Sequence, residues 1–75
     1  MKKITVIKRL ENEDGEFIQL THNGAEAGRV YRVEIKLYSA HWDEWWTYRQ
    51  TEINDRLARE RFEDLKGHVQ RKVVA

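Results

Sequence analysis

His41, Asp43 and Glu44 lie within four residues of one another and form the first group in the chain that could bind a metal or move a proton. A metal site needs three or four converging ligands, and a spacing of one or two residues in a loop does not supply them. His22 and His68 are the only other imidazoles. The first ends a strand. The second follows a helix C-terminus, where positive charge is favourable without any ligand. Glu11, Glu13, Asp14 and Glu16 form an acidic group, but the ligand spacing of a calcium loop is absent and a solvated turn is expected. Asn23-Gly24-Ala25-Glu26-Ala27-Gly28 precedes a strand and does not open a helix, so it reads as a hairpin loop and not as a phosphate cradle. The chain has no cysteine, and therefore no thiolate ligand, thiol nucleophile or disulfide. A chain this small also has little room for a concave pocket. These features disfavour an enzyme and predict no cofactor and no bound metal.

The aromatic residues are the stronger signal. His41 to Tyr48 holds all three tryptophans, two of them adjacent as Trp45 and Trp46. Neighbouring side chains on a strand point to opposite faces, so these two cannot enter one core. Their roles depend on the elements that carry them.

Alternation of apolar and polar residues predicts strands over 3–10, 16–22, 29–38 and 45–50, the third being clearest: Tyr31, Val33, Ile35 and Leu37 alternate with Arg32, Glu34 and Lys36. Glu13-Asp14-Gly15 is a three-residue hairpin turn with Gly15 left-handed. Thr51 is the expected N-cap of a helix over 52–66, with Ile53, Leu57, Ala58, Phe62 and Leu65 on its apolar side and Gly67 after its end. The pairs Glu52–Arg56 and Asp55–Arg59 have the favourable spacing of four. Val69 to Val73 would add a short edge strand. The expected architecture is an α+β domain over residues 1–75, ββββαβ: a four-stranded antiparallel meander, one helix on one face and a C-terminal fifth strand.

Matching apolar parity across the hairpins pairs Leu10 with Ile18, Leu20 with Tyr31, Ile18 with Val33, Leu37 with Trp46, Ile35 with Tyr48 and Glu34 with Arg49. Trp46 and Tyr48 are then expected beneath the helix. Trp45 faces Tyr38 on the other side of the sheet. One helix covers one face, which leaves Ile7, Phe17, Val30, Tyr38 and Trp45 exposed among Arg9, Arg32, Lys36, Thr47 and Arg49. That is more aromatic surface than a small monomer usually exposes, and tryptophan, tyrosine and arginine are enriched at binding hot spots. The candidate binding residues are Tyr38, Trp42, Trp45, Arg32, Lys36 and Arg49. A fold in which the 39–44 loop buries Trp42 and Trp45 is the structural alternative.

Fourteen basic and thirteen acidic residues nearly cancel, so no general attraction to nucleic acid or anionic lipid is indicated. The apolar stretch at the N-terminus ends at Lys8, too early for a secretory signal, and nothing is long enough to span a membrane. A cytoplasmic location is expected. A chain without cysteine or proline and dense in charge is compatible with a bacterial or phage accessory protein. Three partners are weighed for the aromatic face: another protein, as for a small regulator or inhibitor; a second copy of the chain; and single-stranded nucleic acid stacked on the aromatics.

Overall fold

The computed structural model describes residues 4–70. Strands β1 (Thr5–Glu11), β2 (Phe17–His22), β3 (Tyr31–Ser39) and β4 (Glu44–Glu52) form one antiparallel sheet in sequential order. The helix α1 (Asp55–Leu65) and a single turn, α2 (Gly67–Gln70), follow. The four-stranded meander and its helix match the α+β expectation. Val69 and Gln70, expected to begin a fifth strand, are helical, and positions 71–75 lie outside the described residues.

The first turn forms as its sequence demands. Gly15 takes φ +85°, the Gly15 N–H donates to Asn12 O at 3.2 Å, and the Asn12 N–H donates to Glu16 O at 3.0 Å. Leu10 consequently faces Ile18. Across β3 and β4 the expected register is also found: Leu37 faces Trp46, Ile35 faces Tyr48, Glu34 faces Arg49 and Tyr38 faces Trp45. The β2–β3 hairpin differs by two residues. His22 pairs with Tyr31, Leu20 with Val33 and Ile18 with Ile35. Asn23 closes this longer loop, its N–H donating to Val30 O and its Oδ1 accepting from the N–H groups of Ala25 and Val30. A shift of two preserves parity, so the same side chains still reach the core.

The core consists of Ile18, Leu20, Val33 and Ile35 from the sheet, Ala58 and Phe62 from α1, and Val69 from α2. In β1, an irregularity between Val6 and Lys8 places Val6 opposite Thr21 and Lys8 opposite Leu20. One extra residue inverts the faces before it. Ile7 therefore packs against the core, while Ile4 and Val6, which share Leu10's parity in the sequence, are exposed. Lys8 lies 5.6 Å from the Phe62 ring centroid and 3.5 Å from Glu63 Oε2, which links β1 to the helix.

Trp46 and Tyr48 are not beneath the helix. They are 54% and 53% exposed. Parity puts them on the helix side of the sheet, but α1 packs chiefly on β2 and β3 and leaves the Trp46 and Tyr48 positions of edge strand β4 exposed. Length contributes as well: an eleven-residue helix spans ~16 Å, whereas a nine-residue strand spans ~30 Å. The molecule is correspondingly long, 42 × 22 × 16 Å.

Helix α1 starts three residues later than expected because Thr51 and Glu52 remain paired with Arg32 and Tyr31 in the sheet. Ile53 falls in the connection and is 83% exposed. Leu57, also expected to line the core, is only partly covered. Glu52, held in β4, lies 3.9 Å from Arg61 and not beside Arg56, while Asp55–Arg59 pairs as expected at 3.0 Å. Gly67 does not terminate the helical path: Lys66 stays right-handed and its carbonyl accepts from the N–H groups of Val69 and Gln70. The N-cap is Asn54, whose Oδ1 accepts from the Leu57 N–H at 3.1 Å. Asn54→Ala is expected to lower stability by about 1 kcal/mol, and Thr51→Ala by much less. Denaturant midpoints of the two variants check this assignment of the cap.

Candidate binding face

The face opposite the helix has two regions. Its centre is a polar row that crosses all four strands. Arg9 Nη1 donates to Gln19 Oε1 at 2.8 Å, Gln19 Nε2 donates to Glu34 Oε1 at 3.0 Å, and Arg49 Nε donates to Glu34 Oε2 at 2.5 Å. The register explains the alignment, since these four residues are successive cross-strand partners. Arg9 also lies over the Phe17 ring, 4.3 Å from its centroid.

The aromatic region lies toward the β3–β4 turn. Tyr38 and Trp45 are directly opposed, with ring centroids 5.4 Å apart, and Lys36 Nζ lies 5.2 Å from the Trp45 centroid. Trp45 is 46% exposed. It lies close to the β1–β2 turn: a Cβ added at Gly15 would stand 3.7 Å from its Cη2. Asp14, Glu16, Tyr38 and Trp45 line a shallow depression there.

Asp43 organises the turn. It adopts φ +52°, the left-handed region that aspartate tolerates better than most residues, and its Oδ1 accepts from the Tyr38 hydroxyl. This hydrogen bond, and to a lesser extent desolvation, raises the Tyr38 pKa above the ordinary phenol value. A phenol with a raised folded pKa contributes stability that is fully present below the unfolded value of about 10 and is lost as pH rises through the folded value. One tyrosine is therefore expected to ionise later than ordinary phenol, and Asp43→Ala should return it to the ordinary range. Ultraviolet titration of the wild type, Asp43→Ala and Tyr38→Phe would reveal whether that late transition belongs to Tyr38.

Of the six candidate residues, the structure brings Tyr38 and Lys36 each against Trp45. Arg49 joins the polar row through Glu34, and Arg32 lies beyond that row, opposite Thr21 and Thr51. Trp42 is 63% exposed in the turn, with its ring edge-on to His41 at 4.9 Å. The loop thus does not bury Trp42.

Two supporting residues were not anticipated. Glu16 is 1% exposed and not part of a solvated acidic turn. Its Oε1 accepts from Asn12 Nδ2 at 2.8 Å, and its Oε2 accepts from the Tyr38 N–H at 2.9 Å. Asn12, also buried, accepts through Oδ1 from the N–H groups of Asp14 and Glu16 and donates through Nδ2 to Val69 O at 3.3 Å. The readable part of this arrangement was Asn-x-Asp-Gly, since asparagine commonly caps such a turn with its own side chain. Nothing local in the sequence marks Glu16, because its partners lie on β3 and in the turn.

Among the described residues, no group of three or more histidine, cysteine, aspartate or glutamate side chains could hold a metal ion, and no helix is long and apolar enough to cross a membrane. His22 Nδ1 accepts from the Gly24 N–H, and its ring meets Tyr31 edge-on. Comparisons with protein-family models, curated proteins and solved structures yield no match.

Proposed function

We propose that the chain is a small non-enzymatic protein-binding module, of the kind that regulates or inhibits a larger protein, and that it docks through the sheet face opposite α1. The observation that carries this reading is the opposed Tyr38–Trp45 pair: two large, partly exposed rings flanked by Lys36 and next to a fully paired polar row. Aromatic anchors within a polar rim are the usual composition of an interface centre. The rings are positioned by a rigid sheet and by Asp43, so docking them orders little that is not already ordered. Trp42 and Arg32 would extend the contact at either end of the face.

The nucleic-acid reading has the aromatics in its favour but not the charge. Arg49 is occupied by Glu34, and Asp43 sits on the Tyr38 hydroxyl, where it would repel a phosphate backbone. The deciding experiment compares wild type with Trp45→Ala in capturing a protein partner, alongside titration with a single-stranded oligonucleotide at low salt. Salt-sensitive quenching of tryptophan by the oligonucleotide, with no protein captured, would reverse the ranking.

A further inference from the structure

The two edges of the sheet are unequal. Strand β1 has an irregular register at Val6/Lys8 and carries Lys8 and Arg9, features that discourage pairing with another strand. Strand β4 has neither lysine nor proline, and it pairs with β3 through nine consecutive residues without irregularity. Among the described residues no strand pairs with its outer edge, and it exposes Trp46 and Tyr48 on one side of the sheet and Trp45 on the other. We propose that β4 is a homodimerisation edge, pairing antiparallel with β4 of a second copy to give a continuous eight-stranded sheet.

The sequence of β4 selects the register. Centring the two-fold axis on Thr47 places Trp46 opposite Tyr48 twice, Trp45 opposite Arg49 twice and Glu44 opposite Gln50 twice. No like charges meet, and aromatic and cation–π pairs form on the two faces. Centring on Tyr48 would set Glu44 against Glu52, and centring on Arg49 would set two guanidinium groups against each other. Centring on Trp46 leaves only 44–48 to pair within the strand. An axis perpendicular to the sheet keeps both α1 helices on one side and closes the assembly at two copies. It also joins the two Tyr38–Trp45 faces into one surface. This dimer does not depend on the proposed partner binding, and its test needs no partner.

Two short edges with six partly exposed rings make an interface below the usual size, so a dissociation constant on the order of 100 µM is expected. Sedimentation equilibrium of the full chain from micromolar to millimolar concentration should show a monomer–dimer equilibrium. Thr47→Lys, which puts like charges on the axis, should weaken it at least about tenfold while circular dichroism remains unchanged. The chain has no cysteine, so Thr47→Cys gives a clean second probe. Mild oxidation should cross-link it, whereas Thr51→Cys, opposite Asp43 of the other copy, should stay single under the same conditions. A monomer throughout the concentration range overturns the proposal, as does a dimer that cross-links equally well through position 51.

Discussion

Glu16→Ala is expected to destabilise the fold by about 3–5 kcal/mol, the largest effect of any single substitution outside the apolar core. The carboxylate accepts from donors on two separate segments, Asn12 Nδ2 at 2.8 Å and the Tyr38 N–H at 2.9 Å, in a position almost closed to solvent. Deleting it leaves those donors facing a cavity. The Asn12 Nδ2 group would keep only its longer bond to Val69 O, and the join between the first turn, β3 and α2 would loosen. A chain of this length has a total stability of roughly 4–11 kcal/mol, so the loss would leave many molecules unfolded at room temperature. Glu16→Gln sharpens the test. The amide matches the carboxylate in shape but has one acceptor oxygen instead of two, so its NH2 must face a donor. It should cost about 1–3 kcal/mol, between wild type and alanine. Chemical denaturation followed by circular dichroism measures both. A Glu16→Ala midpoint equal to that of wild type would mean that the buried carboxylate contributes nothing net.

Glu16 also marks the limit of what the sequence reveals. Period-two alternation in Tyr31 to Leu37 and the short β3–β4 connection make the β3–β4 hairpin legible to the residue, because a wrong parity would turn the apolar side chains of β3 into water. The opposition of Tyr38 and Trp45 follows from the same register. Alternation assigns a side chain to a side of the sheet, however, and not to a place under the helix. Trp46 and Tyr48 have the core's parity and still lie outside it, because the helix rests on β2 and β3. The β1 irregularity is hidden for a related reason: one inserted residue exchanges Val6 and Ile7 between faces with no change in composition. Thr51 and Asn54 are both good helix caps locally, and pairing of 51–52 with β3 decides between them. Long-range partners determine each of these outcomes.

The adjacent tryptophans are expected to differ in binding, and neither belongs to the buried core. Trp45→Ala and Trp46→Ala should each change stability by no more than about 1 kcal/mol, because both rings are about half exposed and neither belongs to the core cluster. Had Trp46 filled the space beneath the helix, its removal would cost about 3–5 kcal/mol, so equal melting of the two variants already discriminates. Binding should separate them. Trp45 contacts Tyr38 and Lys36 and lies at the centre of the proposed docking face, so Trp45→Ala should weaken capture of a protein partner by at least about 2 kcal/mol, roughly thirtyfold. Trp46, on the opposite side of the same strand, should leave partner affinity within about threefold. Its loss should instead weaken self-association, where it faces Tyr48 of the second copy. Calorimetry with the captured partner, together with sedimentation of each variant, gives four readings. Equal loss of partner affinity in both would assign the binding to the β4 edge itself, because the open face contains only one of the two rings.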